Sequence, residues 1–379
     1  MNKRVLFITY DFPPVASGIS TYFSHLWKGL NGVDVFILAP RLQNDDETDR
    51  NYSHKVLRYQ KFFGLKFLRV LALIPLIALQ IKKHKIDTIF CGVPVSLGFL
   101  GRLFKNIFGL PYAVFYYGGE FDKFKKNVFI FNILKQNLKQ ADAVITISDF
   151  TTNEVLKFDI KPERITKITP GIDTDKFRPG LDISKLENKF GLKGKAVLLT
   201  VARLVKRKGI DSVIMALPKV IQQNKNIKYL IVGVGSDEKY FRDLVRDNRL
   251  SEYVEFVGMV SDGELPLYYN ACDIFVMPNK KTYGREVLEG FGISFLEASS
   301  CQKPVIGGLS GGSAEAVVDG KTGLLIDSEN IELLAELILR LINNQAFTDE
   351  LAKNARVRAE KEFNWRQRSE QLGKIIFNI

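Results

Sequence analysis

The sequence predicts an α/β protein of two doubly wound domains, each a mostly parallel sheet with helices on both faces. Three observations carry this expectation. The chain has 379 residues, and one hydrophobic core stops growing at roughly 250–300 residues. Short apolar runs alternate with longer helical patterns, the rhythm of βα units. That rhythm occurs as two series, parted at 169–180 by TPGIDTDKFRPG, whose prolines and glycines suit a linker or a domain edge.

In the first series the strands fall at 5–9, 33–38, 86–91, 112–116, 143–147 and 165–168. Helices fit 19–30, 95–108, 128–140 and 151–158. The second series begins near Ala196. Its strands fall at 196–201, 228–232, 254–256, 274–277, 304–306 and 323–326, and its helices at 209–223, 239–247, 263–271, 293–300, 331–341 and 348–361. Residues 364–379 form an amphipathic helix capped by Asn364. The expected domains are therefore 1–172 and 195–361, with 173–194 as the border and 362–379 as a terminal helix packing across or near the junction. In open sheets of this kind ligands collect beyond the carboxyl ends of the strands. The chemistry is expected in post-strand loops facing a cleft between the domains.

Bulk properties narrow the partners. The formal charge is +12 with a pI near 9.4, which suits nucleic acid, an anionic membrane surface or phosphorylated small molecules. Zinc-finger spacing and RNA-binding signatures are absent from the sequence, so nucleic acid is not expected. Cys91, Cys272 and Cys301 are odd in number, widely spaced and set in apolar runs, so they read as buried free thiols in a reducing cytoplasm. His25, His54 and His84 show no metal-site spacing, and no metal is expected. The start, MNKRVLFITY, reads as a first strand, not a signal peptide. The apolar run at 70–79, VLALIPLIAL, falls short of the roughly 20 residues that span a bilayer. A cytoplasmic protein, free or attached to a membrane face, is expected.

Five loops carry candidate chemistry. YDFPPVASGIS at 10–20 is stiffened by Pro13 and Pro14. Its Gly18 allows close ligand approach at the start of a helix whose free amides suit an anion. It has neither a Walker lysine nor a dinucleotide-type glycine fingerprint. VARLVKRKGID at 201–211 sets Arg203 and Lys208 around a post-strand loop, as a diphosphate and its departing charge require; Lys206 and Arg207 between them are less favoured. In YLIVGVGSDEKYF at 229–241, Gly233 and Gly235 allow a close turn beside a ligand. In EGFGISFLEA, Glu289 lies in the loop and Glu297 one turn into the following helix, so both can point at one bound molecule. Carboxylates accept sugar hydroxyl hydrogens, and the amides at Gly292 and Ile293 can meet phosphate or sugar oxygens. GLSGGSAEAVVDGKTGLLID at 308–327 is mostly architecture, with Gly311 and Gly312 as further candidates for the cleft.

Taken together, the loop at Gly18, the TPGIDTDKFRPG border, Arg203 with Lys208, the Glu289–Glu297 acids and GKTGLLID resemble family 4 of the retaining glycosyltransferases. The resemblance covers nearly the whole chain. It implies the GT-B fold, two Rossmann-like domains facing across a cleft, and a nucleotide diphosphate sugar as donor. Arg203 and Lys208 would hold the diphosphate and stabilise the leaving group. Glu297 would bind the ribose hydroxyls, Glu289 would orient the donor sugar, and Gly18 would approach the diphosphate from the first domain. No cofactor or metal would be required, and the anomeric configuration would be retained. One departure stands out. Many relatives carry histidine in the loop after the fourth strand, whereas FYYGGEFD at 115–122 has none. Tyr117, Gly119 and Glu120 are the acceptor-side candidates there.

The segments 59–85 and 121–139 mix bases with large apolar residues. They suit an anionic membrane surface or a core with exposed bases. A lipid-linked acceptor accounts for the first alternative. EGFGISFLEA and SGG are similar to phosphatidylinositol mannosyltransferases, which places GDP-mannose ahead of UDP-sugars as donor. The expected function is transfer of a hexose to a lipid-linked or glycan acceptor in cell-envelope polysaccharide or glycolipid synthesis. A noncatalytic nucleotide-sugar-binding partner, and a phosphorylase or epimerase of the same fold, are the alternatives.

Overall fold

The computed structural model describes residues 2–15, 17–43, 45–60, 66–280 and 289–379. Residues 61–65 of the apolar-basic segment and 285–288, which lead into the acid motif, lie outside the described residues. The chain divides into two compact units, 1–171 with 365–379, and 172–364. Residues 173–194 thus lie in the second unit and the terminal helix in the first.

The first unit is built on a seven-stranded parallel sheet of order β3-β2-β1-β4-β5-β6-β7. Its strands are β1 (Lys3–Ile8), β2 (Val33–Pro40), β3 (Lys55–Tyr59), β4 (Thr88–Cys91), β5 (Tyr112–Tyr116), β6 (Ala143–Thr146) and β7 (Ile165–Lys167). Both faces are covered. Leu6 and Ile8 join a core with Ile89, Cys91, Tyr112 and Val114. Phe7 points the other way, with ring centroids 4.5 Å from Phe23 and 4.8 Å from Trp27. This is the two-residue alternation of a strand buried on both sides. The terminal helix Trp365–Asn378 packs on helix Gly18–Lys28, where Ser369 Oγ donates to the Leu26 carbonyl at 2.8 Å and Trp365 stacks on His25 at 5.1 Å.

Strand β3 and helix Lys66–His84 are among the elements not expected from the sequence. Strand β3, KVLRY, is an edge strand with a mostly half-buried side-chain pattern, so it lacks the apolar run of its neighbours. Helix Lys66–His84 contains the apolar run at 70–79 and carries Pro75 inside it. Its Val70, Leu73, Ile77 and Ile81 enter the core at helical spacing, while Leu68 and Leu79 stay exposed. No helix among the described residues is long and apolar enough to cross a membrane.

The second unit holds a six-stranded parallel sheet of order β10-β9-β8-β11-β12-β13, comprising β8 (Ala196–Val201), β9 (Ile227–Val232), β10 (Val254–Gly258), β11 (Ile274–Met277), β12 (Val305–Gly308) and β13 (Leu324–Ile326). Helices Ile210–Gln223 and Ile331–Asn343 pack together over one face, burying Val213, Leu217, Leu334 and Ile338. The three cysteines are free and buried, as the sequence suggests.

Edge strand β3 is anchored by Arg58, whose side chain is 2% exposed. Its guanidinium bonds to both Asp49 carboxylate oxygens at 2.7 and 2.9 Å and lies 3.6 Å from Asp45. It also donates to the carbonyls of Pro40 at 3.1 Å and Pro13 at 2.5 Å. One side chain therefore ties the sheet edge to the loop that leads into the helix at Gly18. Removing one partner of a buried ion pair leaves the other charge uncompensated. Arg58→Ala should cost the first unit about 3–5 kcal/mol in denaturant unfolding. Arg58→Lys should recover only part of that, because an ammonium lacks the planar fork.

Candidate active site

The site in the second unit starts from the loop after β8. The sequence KRK makes a single 3-10 turn, Lys206–Lys208, before helix Ile210–Gln223. That turn sorts four bases that look alike in the sequence. Arg203 and Lys206 are exposed, Arg207 is half-buried, and Lys208 is buried. Lys206 sits over the Tyr240 ring, 4.2 Å from its centroid. The Lys208 ammonium bonds to Glu289 Oε2, and Arg207 Nη1 lies 3.3 Å from the same oxygen.

The structure thus brings Lys208 and Glu289 together and joins Arg207 to them. Arg203 lies close enough to act on the Lys208 charge. The sequence reading passed over Arg207 because spacing cannot say which side of a one-turn helix faces in. Burial lowers the Lys208 ammonium from its ordinary value, and Glu289 opposes that fall. Burial would raise the Glu289 carboxyl, but Lys208 and Arg207 outweigh it and hold it below its ordinary value. Two cations against one carboxylate leave a surplus positive charge in a half-buried place, which suits a phosphate anion.

Backbone packing fixes Glu289. Its carbonyl accepts from the Gly312 amide at 2.8 Å. Gly311 has φ +67°, and a Cβ there would lie 2.2 Å from the Glu289 carbonyl oxygen. Any side chain would push the carboxylate's backbone away, so Gly311 and Gly312 hold Glu289 in place. Gly292 precedes helix Ile293–Ser300, which begins at Ile293 and carries Glu297 in its second turn. Glu297 Oε2 accepts from the Tyr269 hydroxyl at 2.6 Å. Burial pushes the Glu297 carboxyl up to about 7, with the Tyr269 bond acting against the rise. At Gly233 and Gly235 a Cβ would strike the carbonyl oxygens of Ala202 and Leu204 at 2.0 and 2.3 Å. Packing of the two loops therefore requires glycine at both, whatever they also meet in a ligand.

Comparisons with known proteins bear on the family and the fold. Residues 16–176 match the family model Glycosyltransferase Family 4, and residues 182–358 match Glycosyl transferases group 1. The chain is a glycosyltransferase with a family 4 domain followed by a group 1 domain. A GDP-mannose-dependent alpha-(1-6)-phosphatidylinositol monomannoside mannosyltransferase of Mycolicibacterium smegmatis is 27% identical over 381 residues, 98% of each chain. The GDP-mannose-dependent monoacylated alpha-(1-6)-phosphatidylinositol monomannoside mannosyltransferase of Corynebacterium glutamicum is 27% identical, covering 99% of this chain and 98% of that relative. The solved structure of Anabaena HepE in complex with UDP and glucose superposes with a TM-score of 0.85 at 21% identity, covering 100% of both chains. The two parallel-sheet units are those of the GT-B fold.

In the glycosyltransferase's first unit, Gly18 is exposed and opens helix Gly18–Lys28, whose N-cap is Ser17; the Ser17 side chain accepts from the Ser20 amide at 3.1 Å. The histidine-free loop follows β5. Tyr117 Oη donates to the Gly92 carbonyl at 2.8 Å, and burial raises its hydroxyl well above the ordinary value. The Gly119 amide donates to Glu154 Oε2 at 2.7 Å. Both are thus tied into the loop's own structure. Glu120 differs. It opens the short helix Glu120–Phe124, and its Oε2 is buried without a hydrogen-bond partner among the described residues. Burial pushes its carboxyl up to about 8, and the nearby Glu154 adds to the rise.

Two predictions follow from these charges. Glu289→Gln strands a buried ammonium and should cost the second unit about 3–5 kcal/mol. The double variant with Lys208→Met should lose less than the sum of the two single losses in equilibrium unfolding. For Glu120, the folded protein holds its proton more tightly than the unfolded chain, whose carboxyl titrates near 4.5. Its contribution to stability therefore falls as pH rises from about 4.5 through about 8. Glu120→Gln, which never ionises, should gain in melting temperature relative to the parent across that window and level off above it.

Proposed function

We propose that this glycosyltransferase is a retaining hexosyltransferase that moves a hexose from a nucleotide diphosphate sugar to a lipid-linked or glycan acceptor. The pathway class is cell-envelope polysaccharide or glycolipid synthesis. GDP-mannose heads the candidate donors, on the names of the 27% identical relatives, and UDP-sugars stand second. The observation that carries the reading is the Lys208–Arg207–Glu289 cluster, held by the loop Gly311–Gly312 beside the helix that begins at Ile293.

In this mechanism the diphosphate takes up the surplus positive charge of Lys208 and Arg207, with Arg203 reaching it from the exposed loop. The amides at Gly292 and Ile293 meet phosphate or sugar oxygens. Gly233 and Gly235 let the donor approach the backbone beyond β9. Glu297 accepts hydrogen bonds from the ribose hydroxyls, and Glu289 orients the donor sugar. The bond from the anomeric carbon to the phosphate oxygen breaks, and a bond to the acceptor oxygen forms on the same face. The leaving phosphate takes the acceptor's proton, so no cofactor or metal is required. Glu120 is the acceptor-side group with an unused buried oxygen; Tyr117 and Gly119 shape the loop that presents it. Exposed Val128 and Phe129, next to the exposed bases Lys123, Lys125 and Lys126, support peripheral attachment to the anionic cytoplasmic membrane face.

The test is a donor screen with GDP-mannose, UDP-glucose, UDP-galactose and UDP-N-acetylglucosamine against membrane lipid extract. Nucleoside diphosphate release and product mass are followed together, and the linkage is read by NMR. Acceptor-dependent transfer giving an α-linked product is expected, and Lys208→Met should lower kcat about 10²–10³-fold. A β-linked product would overturn the retaining mechanism. Donor binding without transfer to any lipid or glycan fraction would favour the noncatalytic alternative. In the same preparations, sedimentation with phosphatidylglycerol vesicles but not phosphatidylcholine vesicles is expected. Equal recovery with both would overturn the anionic-membrane reading.

A further inference from the structure

We infer that Tyr269 is the positioning residue for Glu297, fixing one carboxylate oxygen so that the other is presented to the paired hydroxyls of the donor's ribose. The inference rests on the proposed reading of Glu297 as the ribose-binding acid.

Tyr269 lies on helix Leu265–Ala271, and Glu297 lies on helix Ile293–Ser300. Contact between the two side chains is therefore a tertiary choice. The Tyr269 hydroxyl donates to Oε2 at 2.6 Å, while Oε1 makes no hydrogen bond to the described residues. A carboxylate that binds a diol must hold its plane, and a glutamate has three torsions to fix. Here the partner is itself immobile. The Tyr269 ring is fully buried, between Phe177 at 5.8 Å and Phe275 of β11 at 5.7 Å. Phe177 is pinned in turn, since its carbonyl accepts from Ser300 Oγ at 2.5 Å and Arg356 Nη1 at 2.9 Å. Those bonds run from the end of the Glu297 helix and from helix Gln345–Glu362. The hydroxyl position is thus set by three elements of the second unit.

Protonation reinforces the argument. A diol donates two hydrogens and needs an ionised acceptor. Burial works against ionisation of Glu297, and the Tyr269 bond works for it. The other groups acting on Glu297 are Lys176, which favours the ionised form, and Asp262, which opposes it; those two are also paired with each other at 2.5 Å. Cys301 and Cys272 are buried thiols raised to about 12, so they stay neutral over the working range. Tyr269 is the only hydrogen-bond donor to the Glu297 carboxylate among the described residues.

The experiment compares calorimetric affinities for GDP and 2′,3′-dideoxy-GDP, and for UDP and 2′,3′-dideoxy-UDP, in the parent protein, Tyr269→Phe and Glu297→Gln. The parent should prefer the ribose forms about tenfold, the size of a hydrogen bond to a charged group. Glu297→Gln should lose most of that preference. Tyr269→Phe, which keeps the ring, should cut it about threefold or more and leave the dideoxy affinities nearly unchanged. It should also move the loss of ribose preference on acidification to a higher pH than in the parent. If Glu297→Gln loses the preference and Tyr269→Phe keeps it with an unshifted pH profile, the positioning role is wrong and the ribose reading stands. If Tyr269→Phe weakens ribose and dideoxy forms equally, its role is packing and the inference falls. If Glu297→Gln keeps the parent's preference, the ribose reading itself fails.

Discussion

A parallel strand pair cannot be closed by a hairpin. Each connection must cross back to the starting edge of the sheet, so every post-strand loop emerges at the same edge. Both sheets here are wholly parallel. In the second unit, β8, β11 and β12 are neighbours in the sheet, and their following loops must share a small area. The main chains press together there. Gly209 lies against the Pro278 carbonyl, Gly308 against Asn279, and Gly311 against Glu289. The frame of the candidate site is therefore backbone packed on backbone, and the side chains that carry charge hang from fixed points.

The charges are arranged on that frame with unequal compensation. Lys208 and Arg207 share a single carboxylate oxygen of Glu289. The cations are held ready without being fully neutralised, so an incoming anion gains more than it would from solvated lysines. Glu297, by contrast, is balanced between burial and one tyrosine hydroxyl. In the first unit the loop after β5 turns through Gly118 and Gly119, both at positive φ, and places Glu120 beside Glu154, where burial and the neighbouring acid outweigh the backbone bonds and lysines that favour ionisation. One unit thus carries two cations on one carboxylate oxygen, and the other a carboxyl that prefers its proton.

Strongly patterned elements were readable from the chain alone. Strands β5, β8 and β11 and helices Val128–Gln140 and Ile293–Ser300 fall at the expected bounds, because short apolar runs and helical spacing reflect burial on both faces of a sheet. Edge strand β3 escaped because an edge is only half covered, and its anchoring residue is an arginine. Helix Lys66–His84 was visible only as an apolar run, since whether such a run meets a core or a membrane depends on what lies beneath it. The glycosyltransferase loops were likewise legible as motifs. Their glycines mark close approaches, and sequence shows that an approach occurs without naming the partner.

The sequence by itself determined two α/β units, the loops that hold the candidate chemistry, and the two acids, one in a loop and one on a helix. These follow from local periodicity, turn residues and spacing, which act over a few residues. Only the tertiary structure decided that Arg207 joins Lys208 on Glu289, that Tyr269 holds Glu297, and that Tyr117 spends its hydroxyl on Gly92 while Glu120 keeps an oxygen unused. Each of these pairings links residues 25 or more positions apart or selects one face of a single turn. Only the packing of loops at the sheet edge makes such choices.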